Sequence, residues 1–412
     1  MARAVSPTIN LAEIKRDMKR LVEVGPRFPG TPNERQARDY ITARLREVCA
    51  VEQHEYSYTG WAIESPPRLR VVAPEAMSLE TLVFIHSPST PEGGLTGRLE
   101  YLGIDGIIRL FSWEKFLVRA DDGRAVAFIT GRQSGPPIPQ PIIEEGTATP
   151  HLMIGEADAA RLRAWCEAGT EVTVHLEVRT RLIPDSRSHN IIGRFAGSAP
   201  DEKKIVFCAH YDSMYICPGA NDNAGGVSCL LALARHFSAT PPPCPVELIL
   251  FCAEEWDLVG SRAYVRDRVD AESAKRIRMV LNMDGVAGTE KTDTLHVWAG
   301  PEGFLADLKR AIDTSRISPS IKRRYSYPPL FGSDHVPFYY NYGIPAAMFT
   351  FAEEEIYHLP EDVYQEAGAV HSREAAILGA DLVQYFGRIE ITYPGRNGSR
   401  PWPGFRGEPI IG

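Results

Sequence analysis

The sequence predicts an α/β protein: a mixed, mainly parallel sheet with helices on both faces, plus an inserted β-rich domain. Three observations predict this. From about residue 188, apolar strand-like runs alternate with helical runs, as in a parallel sheet covered on both sides. Between about 66 and 180 the chain turns to short β-like runs divided by turn clusters. Acids and histidines then recur at the ends of the later strands, where open α/β sheets gather their sites.

The elements follow in order. Leu11, Ile14, Met18, Leu21 and Val22 share one face of a first helix. The breaker-rich loop Gly25–Asn33 ends it, and a second helix turns Ala37, Tyr40, Ile41, Leu45 and Val48 inward. The β-rich block offers strands at Leu69–Val72, Thr81–Ile85, Gly106–Leu110, Ala125–Ile129 and Val172–Val178, with one helix around Glu156–Ala168. Strands then fall at Asn190–Phe195, Ile205–Ala209, Val246–Cys252, Met279–Met283, Thr294–Val297 and Ala346–Phe351. The helices between and after them are Asn223–Phe237, Ser261–Arg268, Gly303–Thr314, Val336–Tyr342 and His371–Phe386. The domains read as 1–65 with 181–392, an insertion at 66–180, and a Pro/Gly-rich arm at 393–412.

Composition narrows the function. The chain has 412 residues and a formal net charge of −8, which argues against a nucleic-acid partner. Its apolar runs are far shorter than the ~18–20 residues a membrane span needs, so no membrane association is expected. The seven cysteines show no CxxC pair, so neither a disulfide framework nor a zinc ribbon is indicated. The N-terminus carries no apolar signal region, which predicts a cytoplasmic protein with reduced thiols. A secreted chain trimmed of its leader would read the same.

The chemistry lies at the strand ends. Ile205–Ala209 runs into His210-Tyr-Asp212, and residues two apart in extended chain share a face, so His210 and Asp212 can meet. Asp222 sits in a glycine-rich opening to a helix, where capping is the competing role. Val246–Ala253 ends in Glu254 and Glu255, two carboxylates whose burial is costly unless something neutralises them. Asp284 follows another apolar strand, and His358 lies in the loop after the last. Gathered in one crevice, these acids would repel without cations. Two divalent ions balance Asp222, Glu255, Asp284 and one hydroxide, leaving Glu254 as a base.

The strings Val206–Ser213, Pro218–Val227, Ala253-Glu-Glu255, Gly260–Tyr264, Asn282-Met-Asp284, Gly332–Phe338, Gly343–Pro345 and Tyr357-His358 resemble the co-catalytic zinc exopeptidases. These are the aminopeptidase Y and bacterial leucyl aminopeptidase-type enzymes. The similarity spans about 186–386. The opening loop Gly25–Thr31 resembles theirs, and the β-rich block resembles their inserted protease-associated domain. One departure is Gly225-Gly226, where members often have Ser-Gly.

The resemblance implies two Zn2+ per chain, with Mn2+ or Co2+ as substitutes. His210 and Asp284 would hold one ion, Glu255 and His358 the other, with Asp222 bridging. It assigns Glu254 as general base, Asp212 as the orienting partner of His210, and Tyr357 as a hydrogen-bond donor to the oxyanion. The reaction would be hydrolysis of the N-terminal peptide bond of small peptides by a metal-bridging hydroxide.

Alternatives remain open at this point. A carboxypeptidase or dipeptidase would need a cationic pocket, for which Arg323 and Arg324, in a loop expected at Arg323–Phe331, are the candidates. A glutaminyl cyclase-like acyltransferase shares several strings, and a receptor-like binding protein shares the scaffold. Asp334 and His335 read either as caps of Val336–Tyr342 or as groups beside the site. Trp402 and Phe405 in the terminal arm offer a homodimer contact.

Overall fold

The computed structural model describes residues 9–106, 112–141, 149–199, 203–330, 332–351, 355–389 and 393. The chain divides into two compact units, Met1–Ser57 with Arg187–Gly412, and Tyr58–Ser186. The sequence placed the breaks near 65 and 180 instead. The difference has a simple origin: both crossings lie within unbroken 23-residue strands, Val51–Ala73 and Thr173–Phe195, so no loop marks either of them.

The first unit opens with α1 (Leu11–Glu23) and α2 (Pro32–Arg46). Asn10 caps α1 by accepting the Ala12 N–H, and Thr31 caps α2 by accepting that of Glu34. Strand β1 (Val51–Ala73) leads into the second unit. There β2 (Met77–Leu79), β3 (Thr81–Val83), β4 (Leu95–Gly106), β5 (Ser112–Arg119), β6 (Ala125–Arg132), β7 (His151–Ile154), α3 (Glu156–Glu167) and the first part of β8 (Thr173–Phe195) follow. Antiparallel β4, β5 and β6 form a meander, β8 flanks β4, and β7 runs parallel to β6. Most of the predicted strand Gly106–Leu110 lies outside the described residues.

The chain returns through β8 to β9 (Lys204–His210), α4 (Gly225–Ala239), β10 (Val246–Phe251), α5 (Val259–Arg268), α6 (Ala271–Ala274) and β11 (Ile277–Met283). Next come β12 (Thr294–Gly300), α7 (Glu302–Asp313), β13 (Lys322–Ser326), α8 (Val336–Tyr342), β14 (Ala346–Thr350) and α9 (Glu366–Phe386). The sheet of this unit runs β13-β12-β14-β11-β9-β10-β8. Its centre, β14-β11-β9-β10, is parallel, while β8 and the β12-β13 pair run the other way.

Both faces of the parallel strands are apolar because both are covered. Ile205, Phe207 and Ala209 pack in one core with α1, α2, α4, α7 and α9. Val206 and Cys208 pack in the other with Tyr264, Val265, Phe338 and Tyr339 of α5 and α8. Alternate residues of a strand point to opposite faces, so an all-apolar run is the signature of a buried central strand. His210, Glu254, Glu255 and Asp284 thereby emerge together at or just past the carboxyl ends of β9, β10 and β11.

Two expectations need correcting. Residues 322–326 are a strand rather than part of a loop; its polar sequence, Lys-Arg-Arg-Tyr-Ser, suits an exposed edge and hid it. Helix α4 begins at Gly225, not Asn223, because Asp222 and Asn223 have non-helical backbones. Trp402 and Phe405 lie outside the described residues. No helix among the described residues is long and apolar enough to cross a membrane.

Candidate metal centre

Three neighbouring parallel strands deliver the first part of the site. His210 is the last residue of β9, Asp284 follows β11 by one residue, and Glu254 and Glu255 lie just past β10. Loops bring Asp222 before α4 and His358 after β14. Apart from the half-buried Asp222, all are buried. The structure thus gathers every ligand candidate that the strand-end argument picked out.

The contacts divide into two groups that share Asp222. His210 Nε2 lies 2.9 Å from Asp222 Oδ1 and 3.2 Å from Asp284 Oδ1. His358 Nε2 lies 3.4 Å from Asp222 Oδ2 and 3.0 Å from Glu255 Oε2. The two oxygens of Asp222 therefore face different histidines. Ligand atoms of His210, Asp222 and Glu255 lie within 4.8 Å of one another, as do those of His210, Glu254 and Asp284.

Two backbone positions beside these residues are strained. Ala253, immediately before Glu254, has φ +59°, and His358 has φ +57°. Non-glycine residues in this left-handed region cost on the order of 1 kcal/mol or more and are held only by their surroundings. Asp222 does not cap α4. Asn223 Oδ1 accepts the Gly226 N–H instead, and the Asn223 amide donates to Met283 O. Gly226 is required there, since a Cβ would stand 2.1 Å from Met283 O.

The electrostatics follow from acids packed around two imidazoles. Burial opposes charge on His210, but Glu254 and Asp284 outweigh it and hold His210 well above its ordinary value. The same contest, dominated on the raising side by Glu255, pushes His358 up to about 10. Burial would raise Asp222, yet hydrogen bonds from His210 and His358 hold it below the usual carboxylate range. Burial raises Glu254 well above that range and pushes Glu255 up to about 6. Among the described residues, the cationic partners of Asp222, Glu255 and Asp284 within 4.0 Å are these two histidines.

The remaining candidates take varied places. Asp212 lies 3.7 Å from His210 Nδ1, too far for a hydrogen bond, and accepts the backbone N–H groups of Glu254 and Glu255 at 3.3 Å each. Tyr357 is half-buried and stacks on His358, ring centroids 3.7 Å apart. Asp334 and His335 are fully buried, and His335 makes no side-chain cap bond to α8. Burial pushes Asp334 up to about 8 and His335 down to about 4. Arg323 and Arg324 are not brought to the cluster. They lie on edge strand β13, with β12 and β14 between it and β11, a gap of about 14 Å at ordinary strand spacing.

Four contributors escaped the sequence reading. Ser333 donates to Asp284 Oδ2 at 2.5 Å and receives Asn282 Nδ2 at 2.6 Å. Asp362 accepts the backbone N–H groups of Asn221 and Asp222. Arg27 is wholly buried and bonds to backbone carbonyls. Ser333, Asn282 and Arg27 lie within strings that carry the family resemblance, though none of these strings shows what the residue does; nothing local to Asp362 announces burial.

The donor set suits divalent ions. It consists of imidazole nitrogens and carboxylates, the ligands of hydrolytic metal sites, and buried Glu255 Oε1 has no hydrogen-bond partner among the described residues. Comparison with known proteins agrees with such a site and makes the chain a metallopeptidase. Residues 190–380, a little under half of the chain, match the model of peptidase family M28. It is 28% identical over 389 residues to aminopeptidase YwaD of Bacillus subtilis, covering 87% of this chain and 80% of that one. The structure of an aminopeptidase from Aneurinibacillus sp. strain AM-1 superposes with a TM-score of 0.71 at 24% identity, over 94% of this chain and 98% of that one. A Bacteroides thetaiotaomicron glutaminyl cyclase gives a TM-score of 0.51 at 14% identity, over 92% and 99% of the two chains.

Proposed function

We propose that the protein is a zinc aminopeptidase with two ions per chain. The observation that carries this reading is the division of Asp222, with Oδ1 toward His210 and Oδ2 toward His358. A carboxylate so placed suits a bridge. His210 and Asp284 would complete one ion's ligands, and His358 and Glu255 the other's. When bound, the zinc pair supplies a Lewis acid that activates water and polarises the scissile carbonyl.

Glu254 would take the proton from the attacking water and return it to the leaving amine. Its burial raises its proton affinity, which suits a group that must hold a proton between two steps. Asp212 would fix the Glu254–Glu255 backbone through its two N–H contacts. Tyr357, held flat against His358, would donate to the developing oxyanion.

The charge of the site favours an amino over a carboxyl terminus. An acid-rich pocket attracts a substrate ammonium and repels a carboxylate. The arginines that a carboxypeptidase reading would need stand on the far edge strand. The aminopeptidase named in the comparison with Bacillus subtilis supports the same choice.

The test is hydrolysis of an amino-acid p-nitroanilide panel with metal counting. The expected result is cleavage of substrates with a free amine, loss with chelator, recovery with zinc, and two zinc ions per chain. Equal cleavage of the N-acetylated substrates would reject the aminopeptidase. One ion per chain, with cyclisation of N-terminal glutamine, would favour the cyclase-like alternative.

A further inference from the structure

We propose that Arg27 and Asp362 are positioning residues that clamp the Asp222 loop and so preassemble the metal centre; the proposal rests on the two-ion reading above. Neither residue is a ligand candidate. They act on one loop, Pro218–Asp222, from its two kinds of backbone group.

Arg27 takes the carbonyls. Its guanidinium is fully buried, and a buried charge is costly unless fully hydrogen-bonded. It meets that need with backbone oxygens: Nε donates to Tyr211 O at 2.7 Å, Nη1 to Leu21 O at 3.3 Å and to Pro218 O, and Nη2 to Gly219 O at 2.9 Å. The rigid fork of arginine suits several fixed acceptors at once. Burial still lowers its pKa, against the pull of Cys217, Asp362, Asp212 and Asp222 nearby.

Asp362 takes the N–H groups. Oδ1 accepts from Asn221 N at 2.7 Å and Oδ2 from Asp222 N at 3.0 Å, while its own carbonyl accepts from Ala220 N at 3.1 Å. Asn221 Oδ1 in turn accepts from Ala287 N at 3.0 Å, three residues beyond Asp284. Gly219 makes the grip possible. Its φ is +64°, and a Cβ there would lie 2.2 Å from Asp222 O and 2.9 Å from Arg27 Nη2.

The connections explain what the clamp is for. Tyr211 lies between His210 and Asp212, so Arg27 ties the β9 end to the Asp222 loop. Asp362 follows His358 by four residues, so it ties the His358 loop to the Asp222 loop. Asn221 adds the segment after Asp284. The ligand-bearing segments are thus cross-linked by groups that need not touch an ion. Fixing Asp222 between two histidines requires its backbone to be held, because a bridging carboxylate tolerates little displacement on either side. Partners behind a ligand set typically govern metal affinity by about 10–100-fold.

The experiment compares wild type with Asp362→Asn and Arg27→Lys. The first keeps shape but offers one acceptor oxygen where two were used. The second keeps charge but loses the fork. Zinc affinity is read by chelator competition, and coordination by the visible spectrum of the cobalt-substituted protein. Both variants should bind zinc about 10–100-fold more weakly, with an altered cobalt spectrum, and should regain turnover as free zinc is raised. Affinity within twofold of wild type and an unchanged cobalt spectrum would overturn the clamp. If Arg27→Lys does not fold, Asp362→Asn decides alone. Wild type that takes up no zinc would reject the metal centre itself, a result distinct from failure of the clamp.

Discussion

Strand β10 carries a buried glutamate at its start and two beyond its end, and the two ends are treated in opposite ways. Glu247 is 2% exposed and is met by Arg194 Nε, Lys204 Nζ and the Tyr264 hydroxyl at 2.7, 2.7 and 2.6 Å. Burial would raise its pKa, but the Lys204 charge and these bonds hold it below the usual range. Among the described residues no lysine or arginine meets Glu254 or Glu255, and burial raises both. The chain supplies its own counter-charges where an acid serves the fold. At the other end it supplies imidazoles and more acids, an arrangement that leaves positive charge to be brought from outside.

The largest effect that can break this contrast is on turnover. Glu254→Gln removes the proposed base and keeps the side-chain volume. It should lower kcat by about 10²–10⁴-fold while two zinc ions remain bound. Near-wild-type kcat in a zinc-loaded variant would remove Glu254 from the chemistry.

The next effect is on stability through the ions. Zinc at about 1,000 times its Kd should stabilise the wild type by about 4 kcal/mol, seen as a rise in Tm over the chelated protein. Asp222→Ala, which deletes the shared carboxylate, should abolish most of that rise. An undiminished rise would place the ions elsewhere.

A smaller effect belongs to Glu247. Glu247→Gln should cost about 1–3 kcal/mol at pH 7 and leave kcat unchanged. The sign of its pH dependence is fixed. A depressed folded-state pKa means the charge-dependent stabilisation is present above the unfolded value near 4.5 and is lost as pH falls through the lower folded value. The gap between wild type and variant should therefore narrow in acid. Denaturant melts at pH 7 and pH 3 check it, and a gap that widens in acid would contradict the assignment.

The same contrast explains what was legible in the sequence. Strands β9, β10 and β11 declare themselves because both their faces are buried, so apolar residues dominate on both faces. Ligand candidates declare themselves because they end those strands, and the family resemblance groups them. Strand β13 stays hidden because an edge strand needs no apolar run, and Arg323 and Arg324 read as loop. Arg27 and Asp362 stay hidden for another reason. Their partners are backbone groups of a loop, and backbone groups have no sequence signature. Even Glu247, whose partners are side chains, is invisible as a pair, since Arg194, Lys204 and Tyr264 meet it only once the sheet is built.

The smallest effect tests how far the cationic network at the start of β10 extends. Glu52 binds Arg194 Nη1 at 2.7 Å and Arg268 Nη2 at 2.6 Å, at the exposed rim of the same network. Arg194 is thus shared between a buried acid and a surface one. If burial decides which contact matters, Glu52→Gln should change stability by no more than about 0.5 kcal/mol, less at high salt. Glu247→Gln should cost severalfold more through the same arginine. A double-mutant cycle between Glu52→Gln and Glu247→Gln measures their coupling through Arg194. Coupling above about 1 kcal/mol would mean that the surface acid holds Arg194 in place, and that the neutralisation of Glu247 is built from the rim inward.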